Sequence, residues 1–222
     1  YDKRETKTVF SAADFVVFGT PVYSGRVPEV AAKHLSYIHG QQTPCIITVT
    51  YGNRDYDDAL LELADIVQAN GFLVKAAAAL IGQHTFGKVQ VGRPDASDMK
   101  ENQQFIKAFL ESTDKISCTN GAKLSLKGNF PYKTGGNGGN FRPLTADTCI
   151  KCGLCVKNCP MFAIDSDFRT IDSEQCLSCF RCIRLCPVHA KNMNEDSYLK
   201  FAEDFSKKLI IRKENEYFLP ER

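Results

Sequence analysis

Eight of the chain's ten cysteines fall between positions 149 and 186, in two runs of identical spacing. The first reads Cys149-Ile-Lys-Cys152-Gly-Leu-Cys155-Val-Lys-Asn-Cys159-Pro160. The second reads Cys176-Leu-Ser-Cys179-Phe-Arg-Cys182-Ile-Arg-Leu-Cys186-Pro187. Intervals of 3, 3 and 4 residues followed by proline occur twice, so the segment is an internal repeat of period 27. A disulfide scaffold would spread its bridges over the whole chain, whereas thiols packed this closely read as metal ligands in a reducing compartment, here the cytoplasm.

The spacing carries its own chemistry. A cubane cluster has iron at alternating corners, and a chain wrapping one face can supply three thiolates from three close turns. The fourth iron lies beyond that loop, so its ligand must come from a distant segment. The fourth cysteine of each run follows a short helical turn that proline then stops. In the two-cluster arrangement that thiolate crosses to the other cluster. Cluster I then uses Cys149, Cys152, Cys155 and Cys186, and cluster II uses Cys176, Cys179, Cys182 and Cys159. Zinc in paired CxxC units is the alternative, giving a zinc-stabilised binding module. It would leave the third cysteine and the trailing Cys-Pro of each run as coincidences, twice over.

Small or apolar residues between the ligands (Ile150, Leu154, Val156, Ile164, Ile171, Leu177, Ile183 and Val188) would keep water from the sulfurs and tune potential. Residues 163–165 and 169–172 alternate around Ser166–Asp167 and read as a small hairpin. His189, Arg181 and Arg184 read as solvated surface groups, since eight cysteines already supply eight ligand positions. Cys118 reads as a plain thiol and Cys45 as a small buried side chain.

The elements ahead of the runs alternate between strand and helix. Phe15–Phe18 is a short apolar run suited to a buried parallel strand, ending in Gly19-Thr20-Pro21. Pro28-Glu29 opens a helix that carries Val30, Ala31, Leu35 and Ile38 and closes at Gly40. Cys45–Thr50 is the next strand, followed by a helix from Asp57 to Ala69 that Gly71 stops. Phe72–Ile81 gives a third strand and Lys100–Glu111 a last helix. Such alternation implies a parallel sheet with right-handed crossovers, whose ligands sit at the carboxyl ends of the strands. Those ends are Thr20–Arg26, Tyr51–Tyr56 and Gln83–Phe86. The pattern assigns residues 1–115 to an α/β domain, 116–143 to a glycine-rich linker, 144–192 to the small α+β metal domain and 193–222 to a helix and tail. The linker centres on Lys-Thr-Gly-Gly-Asn-Gly-Gly-Asn (133–140), a surface-following loop without the Lys-Ser/Thr ending of a phosphate cradle. Lys191–Arg212 reads as a helix, with Tyr198, Leu199, Phe201, Phe205 and Leu209 at helical spacing.

The segments Gly-Thr-Pro-Val-Tyr-Ser-Gly-Arg-Val-Pro (19–28) and Val-Thr-Tyr-Gly-Asn-Arg-Asp-Tyr (49–56) resemble the two flavin-contacting loops of flavodoxin-like proteins. Joined to a two-cluster ferredoxin, the chain resembles the fused flavodoxin–ferredoxin electron carriers of anaerobic bacteria. The resemblance implies a flavodoxin-like α/β sheet, FMN as a second cofactor, and a relay of single electrons between the two clusters and the flavin. It places Thr20, Pro21, Tyr23, Ser24, Gly25, Tyr51, Gly52, Asn53 and Arg54 around the flavin, with Tyr23 or Tyr51 covering the ring. One feature departs from the family. Its sheet opens with a strand and a Thr/Ser-Gly phosphate loop, and the three strands read here correspond to the third, fourth and fifth of its 2-1-3-4-5 order. The missing first strand belongs beside Phe15–Phe18, so the expectation is a chain incomplete at its N-terminus.

Composition bounds the partners. The 222 residues carry 28 Lys and Arg against 26 Asp and Glu, a net charge of +2, with 43% hydrophobic residues. That is globular, and it gives no support to a nucleic-acid or membrane-surface partner. Redox proteins are the expected partners. An enzyme in which the flavin reduces a small substrate is the alternative to a carrier, although His84 is the only acid–base candidate near a strand end and there is no nicotinamide fingerprint.

Overall fold

The computed structural model describes residues 5–113, 124–135 and 139–220. The first elements are β1 (Thr8–Phe10), β2 (Val16–Pro21), α1 (Glu29–Leu35), β3 (Ile38–Gly40), β4 (Thr43–Tyr51), α2 (Ala59–Ala69), β5 (Phe72–Ile81) and α3 (Ala96–Thr113). They are followed by β6 (Leu144–Thr145), α4 (Leu154–Lys157), α5 (Arg181–Arg184), β7 (Lys191–Asn192), α6 (Asp196–Lys208) and β8 (Glu216–Phe218). Two compact units result. An α/β unit comprises residues 5–84, 89–135 and 211–220, and a cysteine-bearing unit comprises residues 85–88 and 139–210.

In the α/β unit, β2, β4 and β5 are parallel neighbours, as their apolar runs predict, and β8 adds an antiparallel edge to β5. Parallel pairing needs long crossovers, and α1 and α2 supply them. Alternation along β5 divides the core. Ala77 and Ala79 join Phe18, Ile47 and Val49 against Leu60, Leu63 and Val67 of α2. Ala76 and Ala78, one residue out of phase, join Ile46 against Phe105 and Phe109 of α3. Four consecutive alanines, each no more than 1% exposed, leave room for a helix to pack closely on either face.

Several boundaries differ from the sequence reading. The first helix ends at Leu35 rather than Gly40, because Ile38–Gly40 is drawn into parallel pairing with Thr8–Phe10. The last helix of this unit starts at Ala96, where the Asp95 side chain accepts from the backbone N–H of Ser97 (2.9 Å) and Asp98 (3.1 Å). Part of the stretch read as linker is fixed in place. Asp58 at the start of α2 accepts from the backbone N–H of Asn129 (2.9 Å) and Lys133 (2.7 Å), and Leu124 and Leu126 pack on the core. The helix read over Lys191–Arg212 covers only Asp196–Lys208, since Lys191–Asn192 pairs with Leu144–Thr145.

The cysteine-bearing unit repeats itself. Shifting α4 by the period of 27 residues superposes its limits on those of α5. Antiparallel pairings of Thr145 with Lys191 and of Ile164 with Ile171 stitch the halves together. The second pairing is the expected hairpin, reduced to a single bridge. An aromatic group completes the unit: Phe180, Met193 and Tyr198 are buried, with Phe86, Phe141 and Phe201 packed against them.

Candidate functional site

The repeat extends to the backbone. Lys151, Gly153 and Phe162 lie in the left-handed region, and so do Ser178, Phe180 and His189, each 27 positions later. A left-handed residue at a fixed place in each loop turns the chain sharply, so that successive backbone N–H groups and thiols face one concavity. For non-glycine residues the conformation costs roughly 1 kcal/mol or more each, a strain that recurs at sites with a bound group.

Two cavities lie inside these loops. The first is lined by Cys149, Cys152 and Cys155 of one run and by Cys186 of the other, with Phe168, Ala190 and Lys191. The second is lined by Cys176, Cys179 and Cys182, together with Cys159, Ile164, Ile171 and Phe180. Each cavity therefore gathers three thiols from one run and the fourth from the other. Among the described residues, no group of three or more Cys, His, Asp or Glu side chains is drawn close enough for one metal ion. Each cavity is nevertheless lined by four thiols, three of them at the 3-residue spacing of a cluster-binding run. The donor set therefore fits a cubane cluster.

The crossing sulfurs are held alike. Cys159 Sγ accepts from Ala163 N–H (3.4 Å) and Cys186 Sγ from Ala190 N–H (3.2 Å), again one period apart. Burial pushes the Cys182 thiol up to about 12 and raises Cys155 and Cys176. At Cys186 desolvation acts in the same sense, but the N–H groups of Lys191, Val188 and Ala190 outweigh it and hold the thiol below its ordinary value. The raised thiols at Cys155, Cys176 and Cys182 give up their protons to solvent when a metal binds in their place, which makes loading of the site proton-coupled.

The loops expected at a flavin behave differently. Tyr51 is 5% exposed and packs edge-on to Tyr56 at 5.3 Å between ring centroids, and burial pushes its hydroxyl up to about 12. It has no face to offer a ring. Asn53, 1% exposed, donates to Ile211 O (2.8 Å) and accepts from Lys213 N–H (3.0 Å). Arg54 pairs with Asp57, and Lys213 Nζ donates to Arg54 O (2.6 Å). A substituent on Gly52 would meet His84, and one on Gly25 would meet Asp57. Thr20 is buried, while Pro21 and Ser24 are exposed and Tyr23 is half-buried, its backbone bridged to Arg26. The loop at 51–54 is closed by the chain's own groups, so Tyr51, Gly52, Asn53 and Arg54 do not fit FMN in the arrangement that the resemblance implies, whereas Pro21, Tyr23 and Ser24 of the other loop stay at least partly open.

Of the remaining candidates, His189 is exposed at a left-handed turn and Cys45 is fully buried, as expected. Cys118 and residues 136–138 of the glycine-rich stretch lie outside the described residues. The sequence reading passed over Lys191, which is 2% exposed and lines the first cavity. The repeat register contained the signal: the position one period before Lys191 is Ile164, in the wall of the second cavity.

Comparison with known proteins agrees on this segment of the chain. The family described as a 4Fe-4S dicluster domain matches residues 144–197, which contain all eight clustered cysteines. Residues 144–197 are thus a dicluster ferredoxin domain, which points to electron transfer through iron–sulfur clusters. Neither a curated protein nor a solved structure matches the chain. Among the described residues, no helix is long and apolar enough to cross a membrane.

Proposed function

We propose that the chain is a one-electron carrier holding two [4Fe-4S] clusters, one on Cys149, Cys152, Cys155 and Cys186 and the other on Cys176, Cys179, Cys182 and Cys159. The observation that carries this reading is the exchange of the fourth thiol between the two cavities. When bound, such clusters supply reversible one-electron chemistry at low potential. The chain's own residues do the rest. The left-handed loops aim the thiolates, the N–H groups of Ala163 and Ala190 hold the crossing sulfurs, and Phe168, Ile164 and Ile171 limit water in the walls. The crossed ligands keep the two sites close enough to exchange an electron. The partners are redox proteins and the compartment is a reducing cytoplasm. The reading contains no step through FMN.

The test is anaerobic purification followed by denaturation, with iron, acid-labile sulfide, zinc and FMN quantified in one sample. The expected result is about eight iron and about eight sulfide per chain, with flavin absent. Zinc without sulfide would overturn the reading. Stoichiometric FMN beside intact clusters would restore the flavin as a third carrier and contradict the closed loop at 51–54.

A further inference from the structure

The two halves of the dicluster domain match in thiol spacing, helix limits, left-handed positions and N–H···S bonds, which makes a buried charge present in only one of the two aligned walls informative. Ile164, 5% exposed, lies in the wall of the second cavity. One period later stands Lys191, 2% exposed in the wall of the first, its Nζ buried with no hydrogen-bond partner among the described residues. A buried ammonium without an acceptor costs several kcal/mol unless a negative charge lies opposite it. The first cavity, where four thiolates converge, is where such a charge would reside.

We propose that Lys191 sets the order in which the two clusters take up electrons, by raising the reduction potential of the site on Cys149, Cys152, Cys155 and Cys186 above that of its twin. This rests on the carrier function proposed above. A fixed buried cation stabilises the reduced, more negative state of whatever it faces, and low local polarity leaves it little screened. The other cations near the sites do not cancel the asymmetry. Lys151 in the first wall and Arg181 in the second are both exposed and solvated, one for each cavity. Arg142, which acts on Cys176, donates through Nη1 to Gly139 O (2.7 Å), Phe141 O (3.1 Å) and Ser178 Oγ (2.8 Å) and through Nη2 to Ser173 O (2.5 Å); its Nε is buried without a partner, but the four acceptors and partial exposure of the residue screen the charge that Lys191 keeps whole. Lys191 acts on Cys155 and Cys186 of the first set and on Cys182 alone of the second, so the charge reaches two ligands of one site and one of the other. The consequence is directional: an electron arriving from a partner settles first at the Lys191 site, and the twin, with isoleucine in the wall, is the stronger reductant.

The experiment is a redox titration of the anaerobically purified full chain, followed by EPR, with iron and sulfide measured on the same samples. Wild type should show two resolved potentials. Lys191→Met should lower the upper one, with at least a tenfold fall in that site's reduction equilibrium constant, equivalent to 59 mV for a one-electron couple, and a smaller change in the lower one. Lys191→Arg, which keeps the charge, should leave the upper potential near the wild-type value. Ile164→Lys should raise the lower potential, and it tests the proposal independently if Lys191→Met fails to hold its clusters. Equal shifts of both potentials, a shift confined to the lower one, or no shift at all with eight irons in place would overturn the inference while leaving the carrier reading intact. Wild-type chain without sulfide would defeat the carrier reading itself.

Discussion

Cys186 and Cys159 each belong to one run in sequence, yet each lines the cavity of the other run. Each follows a four-residue helix, α5 or α4, that carries the chain away from the cavity its own run lines. Replacing Cys186 with Ser should therefore damage the site lined by Cys149, Cys152 and Cys155, with iron falling from about eight towards about four per chain. Cys176, Cys179 and Cys182 should keep their full complement. Loss confined to the Cys176 set, read by EPR and iron analysis, would reverse the crossing. The dicluster domain was legible from sequence because cluster chemistry demands one residue type at fixed intervals, and a duplicated interval is not easily produced by packing. Tyr51 was not legible in the same way. A tyrosine at a strand end is compatible with a ligand face and with a buried one, and only tertiary contacts choose. Here Tyr56 and the chain around it chose burial.

At the scale of elements, the α/β unit depends on a polar junction that no local pattern announced. Arg93 and Asp98, with side chains 3% and 1% exposed, form a bidentate pair in which Arg93 Nε donates to Asp98 at 2.9 Å. Arg93 Nη1 also donates to Lys213 O (2.7 Å), and Asn215 Nδ2 donates to Asp98 (3.0 Å). Asn215 Oδ1 in turn accepts from Ile81 N–H (2.8 Å), so the start of α3, the end of β5 and the strand β8 meet at one carboxylate. Strands β4 and β5 were readable from their apolar runs. β8 was not, because Glu216-Tyr217-Phe218 is too short for a period, and its place is set by partners more than 110 residues away in sequence. Asp98→Asn would leave a buried guanidinium without its counter-charge and should cost about 3 kcal/mol, seen as a lower urea midpoint at pH 7. The Arg93 guanidinium holds the Asp98 carboxyl far below the usual carboxylate range. A carboxylate depressed in the folded state stabilises above its unfolded value and loses that contribution as pH falls through the folded one. Wild-type stability should thus decline as pH drops below about 4, and Asp98→Asn should show a shallower decline there. Equal acid slopes in the two proteins would remove Asp98 from this role.

At the scale of the whole chain, the two units are stabilised by different means. The α/β unit has a continuous apolar core running from Phe18 through Ile47 and Leu63 to Phe72. The dicluster unit has a modest apolar group around Phe180, Met193 and Tyr198, while Ile150 and Phe162 are 61% and 63% exposed and its strands are two residues long. A unit of this size without a large core needs a staple, and eight thiols around two cavities supply one only when metal bridges them. Without it, their desolvated sulfhydryls and left-handed loops are costs with nothing to offset them. Stripping the iron with chelator under mildly oxidising conditions should therefore raise amide hydrogen exchange throughout residues 144–193 to near-unfolded rates. The amides of β4 and β5 should keep their protection, because their hydrogen bonds and core contacts involve no metal. Persistent protection at Ala163, Asp165 and Ala190 after complete iron loss would show that the loops fold on their own, and the metal would then be a passenger in a preformed cage rather than the element that holds it shut.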